Sequence, residues 1–430
     1  MKQTRISLSG GVALTLIPTD RFKTECISLH FLLPLERETV TAVSLLRGLL
    51  LRGCEGYPSF EKISSRLDDL YGAEITVETK PLGSVLALAV TAEYLAGRFS
   101  ADGTDIVGGV LDLFRRILFS PVKLTDPATL ESEKKHLADE IAAGINEKGA
   151  YARRRLYAAM FEGECAGIDP LGYREDLDAI TPEREEALYR SLLVSAPVEM
   201  FVVGDLTEET AKRYADALFG GAARSPRALP AAAPVPGKAP AALRTVFEEE
   251  KVQQARLAIG YRTRAVLAPD KAYTDFLLAC EILGGAASSK LFMHVREELN
   301  LCYYCSSDYR GSLAAMFIYA GIDTANLKKT LDAVRREIDA VAAGEITDAE
   351  LTAAKKTLCS AVLSGLDSAR YLVAYTLSRA LAGFFEEPEA LVARIGEATK
   401  EDVAAAMRGA FPDTLYFLSD NKALAEEALR

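Results

Sequence analysis

The stretch Gly220 to Leu243, GGAARSPRALPAAAPVPGKAPAAL, constrains this chain more than any other. Its prolines withhold backbone donors and favour extended conformations, and its alanines show no apolar periodicity. Residues 220–243 therefore read as a semi-rigid Ala/Pro-rich linker between an N-terminal domain, 1–219, and a C-terminal domain, 244–430. The two halves repeat one order of patterns. Strand-like runs at 11–17 and 25–33 precede helices at 40–51 and 60–70, and strand-like runs return at 73–79 and 85–91. In the second half, runs at 244–248 and 255–261 precede helices at 271–283 and 289–299, followed by strands at 301–307 and 315–321. Each half then continues in long helices and closes on a helix followed by a strand. This order predicts an α+β protein: a tandem duplication of two similar domains, each an antiparallel-rich sheet with helices packed on one face.

The 430 residues suffice for two cores. A formal net charge of −11 argues against a nucleic-acid partner. The N-terminal MKQTRISLSGGVALTLIP is broken by Gly10, Gly11 and Pro18, so no secretory signal is expected. No apolar run reaches the roughly 18 residues of a membrane span. The seven cysteines are scattered and odd in number, which predicts reduced thiols in a cytoplasmic protein. Cys302 and Cys305 form a C-x-x-C, but within a strand-like context. Residues three apart in a strand point to opposite faces, so the pair reads as structural.

Few residues can carry chemistry. The only histidines are His30, His136 and His294, and neither a G-x-S-x-G elbow nor a phosphate-binding G-x-x-x-x-G-K-[ST] occurs. Glu133, His136 and Glu140 share one face of a helix by their spacing of three and four. Such a set can ligate a divalent metal, or it can be a solvated charged face beside Lys134 and Lys135. Arg296 lies near the end of a helix and Tyr303 in the next strand. Brought together across the turn, a guanidinium and a phenol could polarise a carbonyl. Alternatively, the tyrosine packs and the arginine complements the helix macrodipole.

The segment Leu283 to Tyr303, LGGAASSKLFMHVREELNLCY, resembles the second-half signature G-G-x-x-S-S-R-L-F-x-x-x-R-E-x-x-G-L-x-Y of the pitrilysin and mitochondrial-processing-peptidase family. Gly284, Gly285, Ser288, Ser289, Leu291, Phe292, Arg296, Glu297, Leu301 and Tyr303 match it. That family is also a tandem repeat of two α+β domains, so the resemblance spans nearly the whole chain. Active members are inverzincins, in which an H-x-x-E-H on the first long helix supplies two zinc-ligand histidines and a general-base glutamate. A further glutamate ligand follows from a later helix, seven residues after another glutamate.

Against that pattern, Leu49-Leu50-Leu51-Arg52-Gly53-Cys54 occupies the place of the apolar stretch that follows the motif. Counting back puts Ser44, Arg47 and Gly48 where His, Glu and His stand in active members. Glu133 and Glu140 keep the seven-residue spacing, but one residual carboxylate cannot hold a catalytic zinc, which takes three protein ligands and a water. The resemblance therefore implies a bacterial-type, inactive family member that binds no zinc itself and retains substrate-binding Arg296 and Tyr303. It further implies a heterodimer with an active H-x-x-E-H subunit. That partner carries the zinc, and Arg296 and Tyr303 engage the peptide substrate in trans. The alternative it implies is a non-enzymatic scaffold or peptide-binding protein of the same fold, of the kind associated with elongation factor P modification.

Overall fold

The computed structural model describes residues 3–228 and 234–428. Part of the linker, 229–233, lies outside the described residues; 222–228 and 234–240 form neither helix nor strand. The chain forms two compact units. One comprises Met1–Ala143, Ile168–Ala232 and Gly365–Leu377, and the other Gly144–Gly167, Ala233–Ser364 and Ser378–Arg430.

The first unit holds six strands: β1 (Thr4–Ser7), β2 (Val12–Pro18), β3 (Thr24–Pro34), β4 (Glu74–Leu82), β5 (Val85–Leu95) and β6 (Val198–Gly204). They run in the order β1-β2-β6-β3-β5-β4, antiparallel except where β2 meets β6. β3 and β5 lie inside this order and are buried on both faces, which is why their sequences are nearly unbroken apolar runs. Helix α1 (Arg37–Leu49) is buried at every residue from Val40 to Leu46, so it is apolar all round rather than striped. α2 (Phe60–Asp69), α3 (Ile106–Phe119) and α4 (Pro127–Ala143) follow. α5 (Lys148–Met160) belongs to the second unit, and α6 (Pro182–Ser195) and α7 (Glu208–Phe219) return to the first. The starts of α2, α3, α6 and α7 are set by Ser59, Asp105, Thr181 and Thr207, whose side chains accept from backbone N–H groups of the first turn.

The second unit holds β7 (Arg244–Glu249), β8 (Ala255–Thr263), β9 (Cys302–Arg310), β10 (Ala315–Ile322) and β11 (Ala410–Ser419), in the order β7-β11-β8-β10-β9. After β8 come α8 (Lys271–Cys280) and the wide, π-type turns Glu281–Gly285 and Leu291–Glu298. α9 (Leu327–Ala343), α10 (Asp348–Gly365), α11 (Ala369–Leu381), α12 (Pro388–Glu397), α13 (Lys400–Met407) and α14 (Lys422–Ala428) complete the described elements. α8 lies on the sheet face that presents Ser307 and Tyr309: Ser307 Oγ donates to the Cys280 carbonyl at 2.7 Å, and the Phe276 and Tyr309 rings are 4.7 Å apart. The opposite face is also covered. Leu156, Met160 and Phe161, from α5 and the residue after it, pack on Ala258, Phe317 and Tyr416. The two sheets packed with helices agree with the expected α+β class, and α5 adds a helix to the second face of this sheet.

One core group sets a pH dependence. Glu185 on α6 is fully buried, and neither carboxylate oxygen has a hydrogen-bond partner among the described residues. Burial pushes its carboxyl up to about 8, with Arg184 and Lys134 opposing weakly. The acid is therefore held neutral in the fold and ionises readily once unfolded, so its contribution to stability is lost as pH rises from its ordinary value through about 8. Glu185→Gln should leave stability unchanged in acid and raise it by up to a few kcal/mol above that pH. Denaturant melts of both proteins across this range check it; parallel pH profiles would contradict it.

Candidate functional site

Two places carry the residues singled out by sequence, one in each unit. In the first, α1 and α4 face each other. Arg47 Nη2 pairs with Glu140 Oε2 at 2.5 Å, and Arg52 Nη2 with Glu133 Oε1 at 2.5 Å. The Glu133 side chain is 7% exposed, whereas Glu140 is 45% exposed. Gly48 is part of the same packing: a Cβ built there would overlap Glu133 Oε2. Ser44 is buried, and its Oγ has no hydrogen-bond partner among the described residues. Ser44, Arg47, Gly48, Glu133 and Glu140 thus gather at one α1–α4 contact, while His136 stands exposed outside it.

The donor set does not fit a zinc ion. Zinc wants three protein ligands around one point. Here one position offers a hydroxyl, one a cation and one no side chain, and each carboxylate already faces a guanidinium. Among the described residues, no three His, Cys, Asp or Glu side chains are grouped as a metal would require. The sequence motif could not have revealed Arg52, which lies beyond the end of α1. Its only trace is that it and Arg47 are the basic residues interrupting the apolar run.

The other histidines are committed elsewhere. His30 lies in the sheet core with Nε2 2.9 Å from Ser28 Oγ, and burial pushes its pKa down to about 3. His294 Nδ1 is 2.8 Å from Glu337 Oε2.

In the second unit, Arg296 lies in the turn Leu291–Glu298 and Tyr303 at the start of edge strand β9. The intervening Asn300 has φ +48°, a left-handed conformation that asparagine tolerates better than most residues. It occupies the position that is glycine in the signature, and it turns the chain from helix to strand. The Arg296 guanidinium lies 4.5 Å from the centre of the Phe292 ring and 3.3 Å from Glu297. Tyr303 is 62% exposed. Both side chains reach solvent, with no hydrogen bond between them among the described residues.

Tyr303 is also the inserted residue of a β-bulge. Ala320 pairs with Cys305 and Gly321 with Tyr304, but Ile322 pairs with Cys302. The extra residue resets the alternation, so Cys302 and Cys305 share the buried face. The expectation that they point to opposite faces holds for a regular strand and fails here because of the bulge. The Cys302 thiol is lowered by its contact with Cys305, with burial opposing and the charge of Arg296 assisting. All seven cysteines are free thiols.

These features have relatives. Residues 179–358 match the family model described as Peptidase M16 inactive domain. The chain is 27% identical over 415 residues to the Bacillus subtilis protein "Probable inactive metalloprotease YmfF", covering 96% of each. A conserved protein from Enterococcus faecalis has the same fold, with TM-score 0.88 and 24% identity over 98% of this chain and 99% of that one. So does an M16 inactive-domain peptidase from Pseudomonas fluorescens, with TM-score 0.78 and 18% identity over 98% of this chain and 99% of that one. The chain has the fold of the M16 peptidases. In sequence it is similar to M16 proteins described as inactive, and among the described residues no donor set for a catalytic zinc is grouped at the α1–α4 contact.

The two ion pairs at α1–α4 should differ in weight. Removing Arg47 leaves an exposed carboxylate and costs under about 1 kcal/mol. Removing Arg52 strands the buried Glu133 and costs roughly 1–3 kcal/mol. Arg47→Met and Arg52→Met, compared by urea unfolding, should show that order; equal losses would contradict it.

Proposed function

We propose that this chain is the zinc-free subunit of a heterodimeric M16-type peptidase, paired with a subunit that carries an intact H-x-x-E-H motif. The observation that carries this reading is the contrast between the two sites. The α1–α4 site is closed by guanidinium–carboxylate pairs, whereas Arg296 and Tyr303 remain open to solvent at the head of an edge strand. An exposed phenol on a bulge and a guanidinium resting on an aromatic ring contribute little to their own unit, but they are well suited to an extended peptide.

In this reading the partner supplies the metal and the general base. Arg296 and Tyr303 donate hydrogen bonds to backbone carbonyl oxygens of the peptide, orienting the bond to be cut and stabilising negative charge as it develops. The same reading places the chain in the cytoplasm, in keeping with its free thiols; among the described residues no helix is long and apolar enough to cross a membrane.

Co-purification with a partner of the H-x-x-E-H type, followed by cleavage assays on unstructured peptides, tests the proposal. The lone chain should be inactive and the pair active. Arg296→Ala and Tyr303→Phe should each lower kcat/KM by roughly ten- to a hundredfold. Full activity in both variants would overturn the in-trans role and favour a scaffold of the same fold.

A further inference from the structure

A second polar cluster in the C-terminal unit lies on the sheet face that α5 covers only in part. Arg256 on β8, Gly321 on β10 and Tyr304 on β9 are register partners in one row across three strands. Gly321 makes the row close: a Cβ there would come within 2.6 Å of Tyr304 Cε1 and 2.8 Å of Arg256 Nη1. With no side chain between them, the Arg256 guanidinium reaches over the Tyr304 ring, 5.6 Å from its centre. Two residues back on β10, Tyr319 points to the same face. The Arg153 guanidinium of α5 lies 5.3 Å from the centre of its ring.

The two cations lie over tyrosines of the same sheet face. Burial raises the Tyr304 hydroxyl above its ordinary pKa, and the charges of both Arg256 and Arg153 pull it back down. Arg256 Nε is buried without a hydrogen-bond partner among the described residues, and the Tyr319 hydroxyl lies beside that of Tyr157. Neither guanidinium makes an ion pair with a carboxylate among the described residues; Arg256 donates to the Gln254 amide oxygen and lies against the Tyr304 hydroxyl. That is unusual in a chain of net charge −11. The neighbouring Arg244, Arg262 and Arg310 all pair with acids, through Glu162, Glu164 with Asp413, and Asp308. Two guanidiniums without an ion pair, one of them with a buried Nε–H left unpartnered, are a site for an anion.

We propose that Arg153, Arg256, Tyr304 and Tyr319 form a binding site for acidic side chains of a peptide. The donors are guanidinium and phenol groups, with the rings offering flat contact to the stem of a glutamate or aspartate. A C-terminal carboxylate is ordinarily captured by free backbone N–H groups, and the β8–β10–β9 backbone here is engaged in its ladder. The proposal stands apart from the two-subunit reading, because the lone chain should bind.

The chain contains no tryptophan, so a peptide carrying one reports binding by its own emission. The probe is an N-acetylated, C-amidated peptide of glutamates around one tryptophan, titrated beside its lysine counterpart. The glutamate peptide should saturate at one per chain, bind more weakly as salt rises, and outcompete the lysine peptide. Arg153→Gln and Arg256→Gln should each weaken it about tenfold. Arg190→Gln, the same charge change on the surface of α6, should not. Circular dichroism reports folding of each variant; Arg153 is exposed on α5, so its replacement decides the matter even if Arg256→Gln does not fold. The absence of saturable binding, equal binding of both peptides, or full affinity in the folded Arg153 variant would overturn the proposal. So would preference for a non-acidic peptide with a free C-terminal carboxylate.

Discussion

Glu133 is a buried carboxylate pressed between a glycine and a guanidinium, and the character of the first unit's site follows from it. Burying a charge is costly unless it is paired, and Arg52 supplies the pairing at 2.5 Å. Gly48 supplies the room, since a Cβ there would overlap the carboxylate as it is placed. Arg47 holds Glu140 beside it. Two α1 positions that are histidine in active relatives are thus Ser44, small and buried, and Gly48, which is filled by its neighbour. The α1–α4 helix contact closes here around two arginine–glutamate pairs.

The C-terminal unit shows the opposite economy. Asn300 takes up a left-handed turn, Tyr303 is pushed out by a bulge, and Arg296 rests on Phe292. Each is a local irregularity set on a regular framework, at the exposed end of an edge strand. Irregularities of this kind re-aim side chains. Here they turn a phenol toward solvent and bring Cys302 and Cys305 to one face. The α1–α4 contact is thus closed by ion pairs, whereas the start of β9 stays open to solvent.

Much of the fold was legible because its signals are periodic. The unbroken apolar runs of β3 and β5, the all-round apolar α1 and the capping residues that start the helices state their elements directly. The site residues were legible through one compact signature, and their gaps through counting along α1. What escaped reading depends on geometry with no local signature. Arg52 finds Glu133 across the contact of two helices. The bulge at Tyr303 exists only relative to β10. The segment 144–167 joins the second unit although it lies in the first half of the chain, because Leu156, Met160 and Phe161 complement Ala258, Phe317 and Tyr416. Arg153 and Arg256, about a hundred residues apart in sequence, reach tyrosines on one sheet face through the same packing.

The central claim is that this chain, taken alone, has no zinc site where active relatives keep theirs. Calorimetric titration of zinc into the purified, metal-stripped chain tests it most directly. The account predicts no saturable one-to-one uptake. One tightly held zinc per chain, lost on Glu133→Gln or Glu140→Gln, would contradict it.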